Sequence, residues 1–419
     1  MANATLTGKA EVASLSASDK VFVNSGSKVR QISLSNLNTS LGVINAADMA
    51  QVAFYTDFNE TGSVILEQGG NLSLLDYIFS RGGNYLMKND GTAAKLNPSD
   101  PTKFADGSAA TLDGTKGHEM TLLPDFYYLV TTNKNGNPRL WISLKDVGGH
   151  YQPAQWIGTH KGYMSGSTLL SRSGVVPTGN LTITAFWNAA QVNGANWGLA
   201  NYTMHKTLAL MFYTKYGMTL SQGSSILGDG LSGINSSYDY CRNIATGKAN
   251  ALGDNTGYVD INDSKGNRVG STSVFGVKDT FGQVWEFIGG CSPYNDKWYI
   301  SDDCVAPVDG IPTWSNMRQV NRLQSGDGSY ISKMQWGEYA DMLAKEISGS
   351  STTHYTDGYW YSSTGRVLLW GGNANSGVLC GLVSAIAYYV FSTAYATFGA
   401  RLGFYGAPTI VSGAKYLTL

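Results

Sequence analysis

The sequence predicts an α+β fold built of many short strands and few helices. Turn-forming residues are abundant, with 51 glycines among 419 residues. Aromatic residues make up 12% of the chain and charged residues only 14%, against about 25% charged in average soluble domains. Apolar and polar residues alternate over short stretches that Gly, Asn and Asp interrupt, which is typical of strands joined by tight turns. A chain of this length buries a large core without disulfides.

The charge balance restricts the classes of partner. The formal net charge is −1, so no positive field attracts nucleic-acid phosphates or anionic lipid. The N-terminus lacks the apolar core of a signal peptide, and the longest apolar stretch, residues 378–391, is too short to span a bilayer. We therefore expect a protein made in a cytoplasm, with no nucleic-acid partner and no membrane insertion.

Composition divides the chain into three parts. Residues 1–50 contain one aromatic residue and many Ser, Ala and Asn, which suits a segment that pairs with other chains or docks on a larger unit. Valines that alternate with polar residues on either side of positions 24–26 predict a β-hairpin there. Residues 51–115 form a small β-rich intermediate region, in which residues 73–83 predict a short helix ended by glycine. Residues 116–419 hold all ten tryptophans and are predicted to form a large aromatic domain.

Two hairpins and two helices are predicted in this third part. Apolar alternation over residues 122–144, with Asn135-Gly136 at the turn, predicts the first hairpin. Residues 259–276, with their turn at 263–267, predict the second. Apolar residues at helical spacing predict a helix over residues 196–217, and a shorter helix is predicted over residues 334–348.

The sequence contains few signs of catalysis or metal binding. The histidines are isolated, and no H-E-x-x-H, G-x-S-x-G or P-loop motif occurs. Asp302 and Asp303 either bind Ca²⁺ or form a solvated acidic turn, which is the more common arrangement. Glu286 is either a general acid or a buried carboxylate bonded to backbone amides, and we favour the second.

The four cysteines do not form a C-x-x-C pair, which argues against structural zinc. Two disulfides and four free thiols are both compatible with their number. They are Cys241, Cys291, Cys304 and Cys380.

Residues 359–398 differ from the rest of the chain. Small or aromatic residues of scaffold type alternate with a second set of eighteen positions that contains only Tyr, Ser, Thr, Leu, Val and Ile. Each of these six residue types arises from an AAC codon by changes at adenines alone, whereas Trp, Met, Lys, Gln and Glu do not. A plain β-rich core is the alternative explanation. The set is Tyr361, Ser362, Ser363, Thr364, Leu369, Ser376, Val378, Leu379, Val383, Ser384, Ile386, Tyr388, Tyr389, Val390, Ser392, Thr393, Tyr395 and Thr397.

Two motifs resemble a known fold class. KDTFGQVWEFIGG (278–290) and GARLGFYG (399–406) resemble a core strand and the closing strand of the C-type-lectin-like fold of the formylglycine-generating-enzyme class. More narrowly, residues 116–419 resemble the variable proteins of diversity-generating retroelements, which include phage tail receptor-binding proteins. In that family the hypervariable segment precedes the closing strand, which is where residues 359–398 lie.

The resemblance implies a C-terminal C-type-lectin-like domain with short strands and two helices, preceded by small β-rich N-terminal segments. It implies a host-adhesion protein of the virion tail, in which the eighteen positions bind a host cell-surface protein or glycan. It also implies a homotrimer that attaches to other tail proteins through the N-terminal segment, and no cofactor. Catalytic members of the class use a pair of C-terminal redox cysteines. This chain has one candidate, Cys380, so we expect recognition and no enzymatic activity.

Two other functions fit the same resemblance. One is a Ca²⁺-dependent lectin or an enzyme related to the formylglycine-generating class, which requires a carboxylate cluster in a cleft. The other is a structural decoration protein of the virion, in which the eighteen positions would be buried core. The identity of the ligand and any structural role of Ca²⁺ are left open by the sequence.

Overall fold

A computed structural model describes residues 20–25, 28–33, 46–59, 64–232, 238–324, 327–351 and 355–419. The described chain is mostly β-sheet with few helices. No helix within these ranges combines the length and apolarity that a bilayer crossing requires. The helices are α1 Ala46–Val52, α2 Ser73–Phe79, α3 Ile183–Gln191, α4 Tyr202–Tyr216, α5 Tyr238–Arg242 and α6 Gly413–Thr418.

The strands are short, and they run through the whole described chain. The first half contains β1 Lys20–Ser25, β2 Lys28–Ser33, β3 Ala53–Asp57, β4 Glu67–Gly70, β5 Gly83–Met87, β6 Thr92–Asn97, β7 Asp100–Phe104, β8 His118–Leu123, β9 Phe126–Thr132, β10 Pro138–Ser143, β11 His150–Gln152, β12 Gln155–Gly158, β13 Tyr163–Ser165, β14 Thr168–Leu170 and β15 Trp197–Leu199. The second half contains β16 Gly257–Asn262, β17 Arg268–Val274, β18 Val277–Lys278, β19 Trp285–Phe287, β20 Cys291–Tyr294, β21 Lys297–Ser301, β22 Met317–Asn321, β23 Ser329–Tyr330, β24 Lys333–Gln335, β25 Leu343–Glu346, β26 Gly358–Tyr361, β27 Leu369–Trp370, β28 Ala385–Ala387, β29 Phe398–Ala400, β30 Leu402–Phe404 and β31 Thr409–Val411.

All three predicted hairpins are confirmed. β1 pairs with β2, β9 with β10 and β16 with β17, each in antiparallel register. The turn between β16 and β17 is closed by the Asp263 carboxylate, which accepts bonds from the amides of Lys265 and Asn267 at 2.8 and 2.9 Å. Gly266 supplies the left-handed residue of that turn with a φ of 83°. The rest of residues 1–45 lies outside the described ranges.

Residues 51–115 share their sheets with the domain that follows. In an eight-stranded sheet the order is β15-β30-β12-β8-β5-β6-β31, and the eighth strand, β7, also pairs with β6. In a five-stranded sheet the order is β11-β9-β10-β3-β4. β5 pairs with β8 and β3 with β10, so strands before and after residue 115 are direct neighbours. The intermediate region is therefore continuous with residues 116–419 and does not form a separate sheet.

Helix α4 lies in the centre of the molecule. The sequence predicted it over residues 196–217, and it begins at Tyr202. The Asn201 side chain caps it by accepting a bond from the Met204 amide, and Gly217 ends it in the left-handed conformation with a φ of 60°. Every residue from Tyr202 to Thr214 is buried, so the helix is surrounded by the larger core on all sides.

The prediction of a second helix, over residues 334–348, is wrong. The segment forms the antiparallel pair β24 and β25. Ala340 and Met342 have φ values of 50° and 51° in the turn, a conformation that an α-helix cannot contain. Helix α3, which the sequence analysis did not find, is capped by the Thr182 hydroxyl, which accepts a bond from the Ala185 amide. The prediction of two helices in this part is therefore corrected in both position and number.

A six-stranded sheet carries the segment 359–398. Its order is β23-β26-β28-β27-β19-β29, and β19 pairs in parallel with β29. Because side chains alternate across a strand, this sheet has two apolar faces. The face with Tyr359, Trp370 and Ala385 belongs to the larger core around α4. The face with Leu369 and Ile386 belongs to a second core that α3 covers.

Candidate functional site

Four of the eighteen predicted site residues are buried, so the prediction that they lie on a ligand-facing surface is wrong. Leu369 and Ile386 lie opposite each other in the second core with exposures of 0% and 5%. Val383 belongs to the larger core, and Ser384 is fully buried. These four side chains pack the scaffold. The other fourteen are half-buried or exposed.

The two motifs that carry the resemblance meet in a buried ion cluster. Arg401 donates from Nε to Oε2 and from Nη2 to Oε1 of Glu286, both at 2.8 Å. The Lys161 ammonium donates to Oε1 of the same carboxylate at 2.8 Å. Arg401 also donates to the carbonyls of Gly158 and Thr159 at 3.0 and 2.9 Å. The cluster thus joins β19, the residue between β29 and β30, and the segment after β12.

This cluster corrects the prediction for Glu286, whose partners are two cations and not backbone amides. Burial alone raises the pKa of Glu286, but Arg401 and Lys161 outweigh it and hold that pKa far below its usual range. The carboxylate is therefore ionised near neutral pH and has no proton to donate there as a general acid. Its role is to fix the strands beneath residues 359–398.

Ten of the accessible residues form one surface, which we call the tyrosine patch. They come from the turn after β26 and from the loop between β28 and β29. They are Ser362, Ser363, Thr364, Tyr388, Tyr389, Val390, Ser392, Thr393, Tyr395 and Thr397.

Aromatic contacts organise the patch. The rings of Tyr388 and Tyr389 lie 4.3 Å apart, and their hydroxyls are hydrogen-bonded at 3.0 Å. Tyr389 also packs edge-on against Tyr395 at 5.6 Å and against the buried Phe398 at 4.7 Å. Tyr395 remains 51% exposed. The patch is therefore an aromatic cluster that rests on the second core and faces outward.

The backbone beneath these side chains is fixed at several points. The Arg366 amide donates to the Tyr389 carbonyl at 2.9 Å, which ties the turn to the loop. The Asn180 amide donates to the Tyr395 carbonyl at 2.7 Å, and the Trp285 amide donates to the Thr397 carbonyl at 2.8 Å. The loop is held along its length by neighbouring segments while its side chains stay accessible.

The remaining accessible residues lie beside the patch or on the other side of the sheet. Ser376, Val378 and Leu379 belong to a loop that the Gln222 side chain holds by donating to the Gly377 carbonyl at 2.9 Å. Val378 is 54% exposed. Tyr361 projects from the opposite face of the sheet, because side chains alternate along a strand and the preceding residue, Trp360, packs on the second core. The eighteen positions therefore do not form the single face that the sequence predicted.

The patch is close to neutral. Arg366 is the one charged residue in segment 359–398. Its guanidinium lies 4.5 Å from the centre of the Tyr294 ring and 4.0 Å from an oxygen of Asp309. Burial, followed by the hydrogen bond from Tyr388, raises the pKa of the Tyr389 phenol well above its usual value, so this hydroxyl stays protonated.

Two aromatic residues that the sequence analysis assigned to the scaffold also reach this surface. Trp360 and Phe391 are half-buried and pack against the second core beside the patch. They were missed because they do not belong to the six residue types of the variable set. Four cavities of about 360, 470, 510 and 530 Å³ are lined by residues outside the eighteen positions.

The other candidate centres have structural partners. The Thr203 hydroxyl donates to Asp302, and Asn316 donates to Asp303 at 2.9 Å, so both carboxylates serve in a turn. Within the described ranges, no group of three or more His, Cys, Asp or Glu residues could hold a metal ion.

None of the four cysteines, all of which lie in described segments, forms a disulfide. Burial raises the pKa of the Cys304 thiol to about 11, and it raises those of Cys291 and Cys380 further. Cys380 is fully buried, and its thiol donates to the Asn373 carbonyl at 3.1 Å.

Two buried histidines predict a loss of stability in mild acid. Burial lowers the pKa of His118 and of His205 to about 4 in the folded chain, against about 6.5 when unfolded. Between these values the unfolded chain binds protons that the folded chain does not, so the free energy of unfolding falls as the pH falls. The loss is about 3 kcal/mol for each histidine, at about 1.4 kcal/mol per pKa unit.

Urea unfolding at pH 7 and pH 4.5 measures this loss, and His205→Asn is expected to remove about half of it. Equal unfolding free energies of the unchanged protein at the two pH values would contradict the assignment.

No protein-family model matches the chain, and no curated protein matches it. Among solved structures, that of PvdO from Pseudomonas aeruginosa is 9% identical, with 70% of this chain and 96% of that chain covered and a TM-score of 0.31. The Major Tropism Determinant U1 variant is 15% identical, with 92% of this chain and 91% of that chain covered and a TM-score of 0.30. The P3c variant is 14% identical over the same shares, with a TM-score of 0.29. Likenesses at this level of identity and TM-score do not assign the chain to a family.

Proposed function

We propose that this protein is a host-adhesion protein of a phage tail, and that the tyrosine patch binds a protein or glycan on the host surface. The observation that carries the proposal is the combination of accessible, neutral side chains with a fixed backbone. The patch rests on a packed core, and its loop accepts backbone hydrogen bonds from Asn180 and Trp285. The function is recognition without catalysis.

The chemistry of the patch suits a recognition surface. Tyrosine offers a large amphipathic contact area with little side-chain entropy to lose, and Ser and Thr supply adaptable hydrogen bonds. Tyr388, Tyr389 and Tyr395 are the central anchors, and exposed Val390 adds apolar area. Anchors of this kind contribute about 1–3 kcal/mol each when they are buried by a partner.

The remaining features of the proposal follow from the resemblance. The N-terminal segment attaches the chain to other tail proteins, and three copies form a homotrimer on the virion. Three linked patches raise the strength of attachment through effective concentration, so each patch needs only modest affinity. A diversity-generating retroelement varies the exposed positions.

Sequencing the coding region across a phage population tests this variation. We expect substitutions to concentrate at the codons for the tyrosine patch and for residues 376–379. Trp360 and Trp370 should stay constant, because the tryptophan codon contains no adenine. The matched control is the β9–β10 hairpin. Equal substitution rates in the hairpin and in the patch would contradict the proposal.

The buried positions should vary within narrower limits. Leu369 and Ile386 fill the second core, where loss of a few methylenes costs about 2–5 kcal/mol. The same sequencing should therefore find only apolar residues of similar size at these two positions. Polar residues there at the frequency seen at Tyr395 would contradict the placement of the two side chains.

Binding should depend little on salt, since the patch has no cluster of like charges. The dissociation constant of labelled chain on receptor-bearing cells should change by less than about twofold between 0.05 and 0.5 M NaCl. Strong weakening by salt would point to a charged surface elsewhere on the molecule.

A further inference from the structure

Trp360 occupies the border between the two groups of accessible residues. On β26 it lies opposite Ile386, so the next residue pair in this parallel register is Ser362 and Tyr388. The Ser362 amide confirms that register by donating to the Ala387 carbonyl at 3.4 Å. Trp360 and Tyr388 therefore lie on the same face of the sheet, where both pack against the second core.

The Trp360 ring also lies beside the loop that carries Val378 and Leu379. A Cβ atom placed on Gly358 would lie 2.7 Å from the Trp360 ring and 2.9 Å from the Leu379 Cβ. Glycine at this position lets the ring and the leucine approach each other. Trp360 thus connects the exposed loop at 376–379 with the tyrosine patch.

One side of the Trp360 indole packs on the second core, and the residue is partly exposed to solvent. Its ring meets Trp285 of the second core edge-on, with centroids 6.0 Å apart at 90°. Its N–H donates to no partner within the described part of the chain, and the residue is only half-buried. A tryptophan with a supported ring and a free donor is typical of interface anchors.

We propose that Trp360 is a constant ligand-binding residue at the centre of this surface. The proposal rests on the function proposed above. The accessible positions of the tyrosine patch and of residues 376–379 change from variant to variant, while Trp360 gives every variant the same apolar ring and the same N–H donor. The ligand it fits is an uncharged surface that places a carbonyl or hydroxyl acceptor beside an apolar group.

A displayed library tests the proposal without knowledge of the natural receptor. In the full chain, Tyr388, Tyr389, Val390, Ser392 and Tyr395 are randomised, and binders are selected against hen egg-white lysozyme as the probe protein. Parallel libraries carry Trp360→Ala, Trp360→Phe or the control Tyr77→Ala. Tyr77 is 61% exposed and lies on α2, outside the surface in question.

We expect the Trp360→Ala library to yield at least about tenfold fewer binders than the parent library, because truncating an interface anchor weakens the binding of every clone that uses it. Trp360→Phe, which keeps an aromatic ring and removes the N–H, should fall between them, and Tyr77→Ala should equal the parent. Thermal melting of ten unselected clones from each library shows that the comparison is made between folded proteins.

Two results would overturn the proposal. If the parent and Trp360→Phe libraries give equal yields and their best clones have equal affinities, the indole N–H does not contribute to binding. If the parent and Trp360→Ala libraries give equal yields, Trp360 is not part of the binding site. If the parent library yields no binder at all, the proposed function fails, and this proposal fails with it.

Discussion

Replacing Glu286 by glutamine is expected to lower the free energy of unfolding by about 3–5 kcal/mol, the usual cost of removing one partner from a buried ion pair. Glutamine has the same shape but leaves the Arg401 guanidinium and the Lys161 ammonium without a counter-charge. All three side chains are no more than 1% exposed, so water cannot replace the lost carboxylate. Urea unfolding followed by tryptophan fluorescence measures the change.

The matched control is Asp260→Asn, which removes the carboxylate from an exposed pair with Arg268 at 2.8 Å. Exposed pairs contribute little, so the control should unfold at nearly the same urea concentration as the unchanged protein. A Glu286→Gln variant as stable as this control would show that the cluster does not hold the scaffold together.

The triple substitution Tyr388→Ala, Tyr389→Ala and Tyr395→Ala is expected to weaken attachment to host cells at least about 100-fold. The three rings form one contact cluster and supply most of the aromatic area of the patch. Flow cytometry of labelled chain on a panel of bacterial strains measures retention. The thermal midpoint should fall only modestly, because Tyr395 and Tyr388 lie at the surface.

Tyr77→Ala and Tyr151→Ala are the controls for the triple variant. Both tyrosines are exposed, at 61% and 51%, and neither belongs to the patch. Chains with these changes should be retained on the same strains as the unchanged chain. Full retention of a folded triple variant would place the receptor site elsewhere.

The local parts of the fold were predictable from the sequence. The hairpins at Asn135-Gly136 and at 263–267 were found because their turn chemistry is contained in four or five adjacent residues. The end of α4 was found for the same reason, since Gly217 adopts the left-handed conformation that few other residues accept.

Parts that depend on distant contacts were not predictable in this way. Residues 334–348 have apolar side chains at helical intervals, but in the structure these side chains enter the core from two strands and a turn. The spacing of apolar residues alone does not distinguish this arrangement from a helix. Helix α3 was missed because its Thr182 cap precedes aromatic and β-branched residues that favour strands. In both segments, tertiary packing determined the secondary structure.

The candidate site was predicted in composition but not in arrangement. The sequence predicted Tyr361, Tyr388, Tyr389 and Tyr395 as anchors on one face, together with Leu369 and Ile386. Tyr361 lies on the opposite face of the sheet, and Leu369 and Ile386 are buried. Leu369 lies on β27 and Ile386 on β28, and both strands are buried on both faces, so residue type does not separate these two residues from the surface set. The partnership of Glu286 with Lys161 joins residues 125 positions apart, and no local pattern indicates it.

Hydroxyl-radical footprinting of the chain bound to receptor-bearing cells tests the central claim most directly, because tyrosine and tryptophan are readily oxidised. The account predicts that Tyr388, Tyr389, Tyr395 and Trp360 are oxidised more slowly in the bound chain than in the free chain, while Tyr77 and Tyr151 are oxidised at the same rate in both. Unchanged oxidation of the tyrosine patch, with protection at some other surface, would contradict it.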